Sequence, residues 1–121
     1  MCIIISRGSG VNLPSKKVLK SCFNSNPDGA GIMYNQNGLV NIEKGFMGFK
    51  SFWKFHQNMK FDSSTAIIYH FRIATAGGIN PENTHPFPIS NEDHILKSLS
   101  VKGEKIAICH NGIIPIKTPE H

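Results

Sequence analysis

The second residue of the chain is a cysteine, and the apolar run Ile3 to Ile5 follows it at once. Once Met1 is removed, a free α-amino group with a pKa of about 8 lies beside the Cys2 thiol and can accept its proton. A thiol activated in this way can attack a carbonyl carbon and form a thioester. Cys2 is therefore a candidate N-terminal nucleophile. The Met-Cys start taken alone is better explained by the chance occurrence of a cysteine at the second position.

Asn111 and Gly112 follow the apolar run KIAIC, within the sequence HNG. A side-chain amide next to an unhindered backbone N–H, at the end of a strand, can form an oxyanion hole, and one such donor contributes about 3 kcal/mol to transition-state stabilisation. The alternative is an ordinary Asn-Gly turn, which by itself is the more frequent use of this pair.

Arg72 directly follows the run TAIIYHF, with a glycine-containing stretch behind it. Its planar guanidinium can bind a carboxylate through two parallel hydrogen bonds. Because a charge at the edge of a core must be paired, a structural ion pair is an equally good interpretation. The residue types alone leave both roles open.

Strands must position these three groups. Residues 3–5 predict a short buried strand, and TAIIYHF and KIAIC predict two more because they are largely apolar and contain several β-branched residues. The extended runs on either side of Asn37-Gly38 predict an antiparallel hairpin. The stretch 72–91 is too rich in glycine and proline for a simple connector and is typical of a functional loop.

Two amphipathic helices are expected between the strands. The segment SKKVLKSCF follows a turn and has Ser15 as a candidate N-cap; its apolar stripe comprises Val18, Leu19, Cys22 and Phe23. The segment FKSFWKFHQNMK places Phe52, Phe55 and Met59 on one face, with Trp53 beside them and His56 at the boundary. DHILKSL predicts a short third helix. The pattern indicates mixed helices and strands, with part of the sheet antiparallel.

The bulk properties indicate one cytoplasmic domain. The chain has 121 residues, a net charge of +5 and a pI near 9.3. No segment approaches the roughly 20 apolar residues that span a bilayer, and the start lacks a secretory signal. The odd number and wide spacing of the three cysteines argue against a disulfide framework. We expect neither a membrane nor a nucleic acid as partner, because the lysines form no basic run and are predicted to be solvated; they include Lys16, Lys17, Lys20, Lys44, Lys50, Lys54 and Lys60.

Four motifs in this order, Cys2, NPDGAG, HFRIATAGG with THPF, and HNGII, resemble the class II glutamine amidotransferase domain. Members of that family are N-terminal nucleophile hydrolases that release ammonia from glutamine, and the likeness is to the short, single-domain bacterial and phage versions. The resemblance covers essentially all of residues 1–121. It implies an α+β fold, the αββα sandwich, in which two largely antiparallel sheets stack between helices.

The resemblance also implies roles. Cys2 would be the nucleophile, and its own amino group the base, while Asn111 and Gly112 would form the oxyanion hole. Arg72 would bind the substrate α-carboxylate. Its helpers would be Thr75 and backbone groups near Ala76 and Gly77. No cofactor or metal is implied; the substrate would be L-glutamine, and a synthase or acceptor partner would receive the ammonia, in the host cytoplasm if the chain is phage-encoded.

Some features depart from the family pattern. Many members have glycine where this chain has Ile3, and some have an arginine where it has Ser25, before the DG turn. The family's aspartate that binds the substrate α-amino group would lie beyond His121. We therefore expect a domain truncated at its C-terminus, or a reduced member, with less stability and activity than a longer chain.

Two other functions compete with this reading. A binding module that keeps the fold without turnover is favoured by the missing aspartate. A metal site would use His70, His85, Cys109 and His110, but these residues lack the standard spacing of zinc ligands. On the amidotransferase reading, the three histidines instead make structural hydrogen bonds.

Overall fold

A five-stranded antiparallel sheet forms the centre of the computed structural model, which describes residues 2–74, 78–88, 90, 92–104 and 107–108. The strands are β1 (Ile3–Arg7), β2 (Ala30–Gln36), β3 (Leu39–Phe46), β4 (Ile67–Phe71), β5 (Phe87–Pro88), β6 (Ser100–Glu104) and β7 (Ala107–Ile108). The order in the five-stranded sheet is β1-β4-β2-β3-β6, and β5 pairs with β7 in a separate two-stranded sheet. The expected α+β class is confirmed.

Three helices in the described part of the chain accompany the sheet: α1 (Lys16–Ser25), α2 (Phe49–Met59) and α3 (Asp93–Leu96). The α1 helix begins where predicted because the Ser15 hydroxyl accepts a hydrogen bond from the Val18 N–H, at 3.2 Å. A single 3₁₀ turn covers Pro81–Asn83. No helix within these described ranges is long and apolar enough to cross a membrane.

The predicted hairpin joins β2 to β3. Gln36 pairs with Leu39 across a two-residue turn. Asn37 and Gly38 have φ angles of 53° and 76°. A type I′ turn needs positive φ at both central positions, and Asn-Gly adopts it with little strain. This local chemistry fixes the register of the two central strands.

Aromatic side chains fill the space between the sheet and the helices α1 and α2. Phe52 of α2 is fully buried and lies 5.6 Å from Phe71 and 6.0 Å from Phe23, measured between ring centroids. Cys22 packs against this cluster, as predicted. Val18 was expected in the same stripe but is 47% exposed, so the buried face of α1 is narrower than its sequence pattern suggests.

His56 was expected at the boundary of α2 and is buried instead, with only 5% of its surface exposed. Its Nε2 atom lies 2.7 Å from the Tyr69 hydroxyl. Burial lowers the pKa of His56 and raises that of Tyr69. A hydrogen bond to a neighbouring strand thus allows a polar ring to enter the aromatic core.

The first strand differs from the prediction of a buried strand. β1 lies at the edge of the five-stranded sheet and pairs with β4. Its side chains alternate, so that Ile3 and Ile5 are half-buried while Ile4 is 38% exposed. Three consecutive isoleucines cannot distinguish a central strand from an edge strand, because the partners are distant in sequence.

β1 also continues to Arg7, beyond the predicted end. The Arg7 side chain is 4% exposed. Its guanidinium donates to the backbone oxygens of Val11, Asp62 and Thr65, at 2.5, 2.9 and 2.6 Å. Arg7 therefore fastens two loops at the end of the strand that is remote from Cys2.

The segment 81–88 packs on the face of the sheet opposite α1 and α2, and glycines make room for it. A Cβ atom at Gly31 would lie 1.7 Å from the carbonyl oxygen of His85. A Cβ atom at Gly29, where φ is +120°, would lie 2.3 Å from the Thr84 side chain. This close approach brings the THPF motif directly onto β2.

The C-terminal strands were predicted less well. β6 (Ser100–Glu104) was not expected, and of the predicted strand KIAIC only Ala107 and Ile108 fall among the described residues, as β7. The short helix α3 is confirmed at Asp93–Leu96. β6 is polar and contains Gly103 at φ +73°, which hides the strand pattern in the sequence.

Candidate functional site

The pairing of β1 with β4 brings Cys2 to the carboxyl end of β4. Ile3 pairs with Phe71 in an antiparallel register, which, continued by one residue, sets Cys2 opposite Arg72. The Cys2 thiol donates to the backbone oxygen of Ile73, with Sγ and O separated by 3.8 Å. Two of the predicted site positions, 70 residues apart in sequence, therefore lie at one edge of the sheet.

The NPDG turn is bonded to the same end of β4. Asn26, at the C-cap of α1, donates its backbone N–H to the Cys22 carbonyl oxygen. Its side-chain amide donates to the Phe71 carbonyl oxygen, at 3.3 Å. One buried residue therefore ties the end of a helix to the end of the strand that precedes Arg72.

Asp28 continues this connection. Its backbone N–H donates to the Arg72 carbonyl oxygen at 3.0 Å, and the Arg72 N–H donates to the Gly29 carbonyl oxygen at 2.8 Å. The Asp28 carboxylate accepts a hydrogen bond from the Ala74 N–H at 2.9 Å. The turn thus fixes the backbone on both sides of Ile73. The sequence indicated a turn here but not this role, and the only signal was an acidic residue within the motif.

Arg72 is 5% exposed. Its Nη1 atom donates to the Gly78 carbonyl oxygen at 2.8 Å, and the Asn83 side-chain amide donates to the same oxygen at 3.0 Å. The guanidinium therefore contacts the backbone of the loop that follows it. This contact gives Arg72 a structural function, and its binding of a substrate carboxylate stays a prediction.

His70 and His85 form a stacked pair. Their ring centroids are 4.3 Å apart, with an interplanar angle of 15°. Both side chains are buried, and the His85 ring also forms a T-shaped contact with Phe87, with centroids 4.8 Å apart. The pair joins β4 to the THPF segment by ring contact, and the hydrogen bonds expected of these two histidines stay a prediction.

Thr84 anchors the same segment by hydrogen bonds. Its side chain is fully buried; the hydroxyl accepts from the Gly45 N–H at 2.8 Å and donates to the Pro81 carbonyl oxygen at 2.7 Å. The hydroxyl thus serves as both donor and acceptor. A valine of the same shape would leave the Gly45 N–H and the Pro81 carbonyl oxygen without this partner.

Lys44 was predicted to be solvated but is 3% exposed. Its ammonium group donates to the carbonyl oxygens of Leu96 and Glu82, at 3.0 and 3.3 Å, and lies 3.7 Å from the centroid of the Phe87 ring. Burial lowers the pKa of Lys44 to about 8, against the opposite influence of the Glu82 carboxylate. Lys44 therefore holds the segments around Glu82 and Leu96 to the central sheet.

Several predicted site residues lie outside the described residues. They are Thr75, Ala76, Gly77, Cys109, His110, Asn111 and Gly112. The oxyanion hole consequently stays a prediction. Among the residues that the structure describes, no group of three His, Cys, Asp or Glu side chains could hold a metal ion; two of the four residues of the alternative metal site are outside this part of the chain.

A cavity of about 380 Å³ lies at the opposite end of β1 from Cys2. Its lining includes Ser6, Met33, Val40 and Ile68. The cavity opens on the sheet face that does not carry α1 and α2, because Ile68 alternates with the core residues Ile67 and Tyr69. It is separate from the strand end that carries the candidate nucleophile.

Comparison of the chain with models of protein families, with curated proteins and with solved structures finds no match. Only the residues themselves and their arrangement around Cys2 therefore indicate a function.

Proposed function

We propose that the chain hydrolyses the side-chain amide of L-glutamine through Cys2. The Cys2 sulfur would attack the amide carbon, forming a C–S bond, and the C–N bond would then break to release ammonia. The α-amino group of Cys2 would take the thiol proton and pass it to the leaving nitrogen. Water would hydrolyse the thioester to glutamate. No cofactor enters these steps, and a synthase or acceptor protein would use the ammonia.

The observation that carries this proposal is the position of Cys2 at the end of β4, where its thiol contacts the Ile73 carbonyl oxygen. The terminal residues of a chain are usually mobile. Here the pairing of Ile3 with Phe71 holds the N-terminus next to Arg72. Catalysis by a nucleophile requires such a fixed position, because small displacements from near-attack geometry are costly.

The remaining roles follow the motif positions. Arg72 would bind the α-carboxylate of glutamine, with Thr75, Ala76 and Gly77 completing that pocket. Asn111 and Gly112 would donate to the oxyanion that develops on the amide oxygen. The hydrogen bond that the Asp28 N–H donates to Arg72, and the one that its carboxylate accepts from the Ala74 N–H, support a rigid binding site on this side of Cys2.

For the fold, we propose the αββα sandwich, with the five-stranded sheet as one of its two sheets. Two features of the sheet face opposite α1 and α2 support it: the partly exposed Ile4 and the open cavity beside Met33 and Ile68. A second sheet stacked on this face would cover both. Sheets packed face to face lie about 10 Å apart and share their inward side chains.

The test combines intact-mass spectrometry with a glutaminase assay and with labelling by a diazoketone analogue of glutamine. Protein that begins at Cys2 should release ammonia and gain one label. Cys2→Ser should do neither, whereas Cys22→Ser, at the other described cysteine, should keep both. Full activity from protein that retains Met1 would refute the N-terminal mechanism. Glutamine binding without labelling or turnover would favour the binding module instead.

A further inference from the structure

Lysines that are scattered in the sequence gather around one groove between α1 and α2. The groove has a volume of about 420 Å³. It is lined by Lys16, Lys20, Phe49, Lys50, Trp53, Lys54 and Gln57. The four lysines are exposed, and the two aromatic side chains are half-buried. Fold formation thus converts dispersed charge into one local feature, here called the lysine groove.

Nothing in the two helices compensates this charge. Neither α1 nor α2 contains an aspartate or glutamate, and the ion pairs found among the described residues do not involve the four lysines. Lys16 and Lys20 are four residues apart, as are Lys50 and Lys54, so each pair lies along one side of its helix. Like charges at this spacing destabilise a helix slightly, so helix stability does not explain them.

Aromatic rings form the floor of the lysine groove. Trp53 stacks on Phe49, with centroids 6.1 Å apart and planes inclined by 12°, and on His56, at 5.3 Å and 17°. The Lys16 ammonium lies 5.5 Å from the centroid of the Trp53 ring. Phe49, His56 and Lys16 therefore already lie against the Trp53 indole. Single-stranded nucleic acid needs a free aromatic face on which bases can stack, so this arrangement does not favour it as the ligand.

We propose that the lysine groove binds an acidic, amphipathic helical segment of a partner protein. Apolar side chains of that segment would cover Trp53 and Phe49, and carboxylates on its two flanks would meet the lysines of α1 and α2. This is the helix-in-groove mode of recognition. At about 1.5 Å per residue, the ten residues of α1 and the eleven of α2 offer length for about three turns of such a helix. The inference is independent of the chemistry at Cys2.

Trp53 is the only tryptophan of the chain, so its fluorescence reports on the groove directly. The probe is a synthetic two-heptad peptide with leucine along one face and glutamate on both flanks. A peptide of the same composition in scrambled order, and a short oligothymidylate, are the comparison ligands. We expect saturable binding of the amphipathic peptide only, weakened by added salt because the charges are exposed.

Two double variants with the same loss of charge locate the contact. Lys20→Gln with Lys54→Gln removes one charge from each side of the groove, whereas Lys17→Gln with Lys60→Gln removes two exposed charges outside it. Exposed pairs contribute little individually, so the groove variant should weaken binding roughly 2- to 30-fold, and the control less than about 2-fold. Equal weakening by both variants, tighter binding of the oligothymidylate or the scrambled peptide, or no saturable binding of the amphipathic peptide would overturn the proposal.

Discussion

The two faces of the five-stranded sheet are filled by different chemistry. On one face, aromatic rings from α1, α2 and the strands pack around Phe52. On the other face, the buried side chains include four polar ones, Lys44, His70, Thr84 and His85, which pack beside apolar groups such as Ile42. An apolar face is stable when its side chains have a suitable total volume and shape. A buried polar face is stable only when each of its polar groups has a hydrogen-bond partner. The face that holds the segment 81–88 should therefore tolerate less change in geometry.

The aromatic face should show the largest effect on stability. Phe52→Ala removes a fully buried ring that contacts Phe23, Phe46 and Phe71. We expect the free energy of unfolding in urea to fall by about 3–5 kcal/mol, through lost burial and the cavity that remains. Val18→Ala, at an exposed position of α1, is the control and should change stability by less than about 0.5 kcal/mol. A small loss from Phe52→Ala would mean that the helices are not packed on the sheet as described.

The polar face should respond to a single added methyl group. Gly31→Ala places a Cβ atom 1.7 Å from the His85 carbonyl oxygen, so the segment 81–88 must move. We expect a loss of about 1–3 kcal/mol, the usual cost of overpacking. Gly8→Ala, which meets no atom within 4 Å, is the matched control.

Amide hydrogen exchange separates the two variants. The Gly45 N–H is bonded to the Thr84 hydroxyl. In Gly31→Ala the exchange rate of this amide should rise, relative to the wild type, more than the rates of the β4 amides, because the segment above it is displaced locally. In Phe52→Ala the exchange rates of the Gly45 amide and of the β4 amides should rise by similar factors. If Gly31→Ala left the Gly45 exchange rate unchanged, the tight contact between β2 and His85 would be wrong.

The sequence predicts the aromatic face better than the polar one, for a physical reason. α1, α2, β4 and the Asn37-Gly38 hairpin follow from periodicity and turn chemistry, which are local. The burial of Lys44 depends on carbonyl oxygens at residues 82 and 96, and that of His56 depends on Tyr69. No local pattern contains such partners, so both residues were assigned to more exposed positions than they occupy.

The candidate site shows the same division. The residue types at Cys2 and Arg72 indicated chemistry, and the pairing of β1 with β4 brings their positions together. The link from the Asp28 carboxylate to the Ala74 N–H spans 46 residues, and the sequence showed only a turn at that point. The motifs therefore indicated candidate positions, and the hydrogen bonds that connect Asp28 to the end of β4 became visible only in the fold.

Each face also contains a buried titratable side chain, and the two should titrate in separate pH ranges. Lys44 represents the polar face, and its pKa is lowered by burial from 10.5 to about 8. Between these two values the unfolded chain binds more protons than the folded one, so the free energy of unfolding should rise with pH across this range. In Lys44→Met this contribution to the slope should vanish. Denaturant titrations of both proteins from neutral pH to about 10.5 measure it; parallel curves would contradict a buried ammonium.

His56 represents the aromatic face, where we expect the smallest effect. Burial lowers its pKa from 6.5, so below that value the unfolded chain takes up a proton that the folded chain resists. The free energy of unfolding should therefore fall as the pH drops through this region.

His56→Gln removes the titration while keeping a group that can bond the Tyr69 hydroxyl. The difference in unfolding free energy between the wild type and His56→Gln should be constant above neutral pH and should shift in favour of the variant as the pH falls below about 6.5. Lys44→Met should follow the wild type throughout this acidic range, because Lys44 is protonated there in both states. If Lys44→Met also removed the acidic slope, the two faces would not titrate independently, and the division between an aromatic and a polar face would fail as an account of stability.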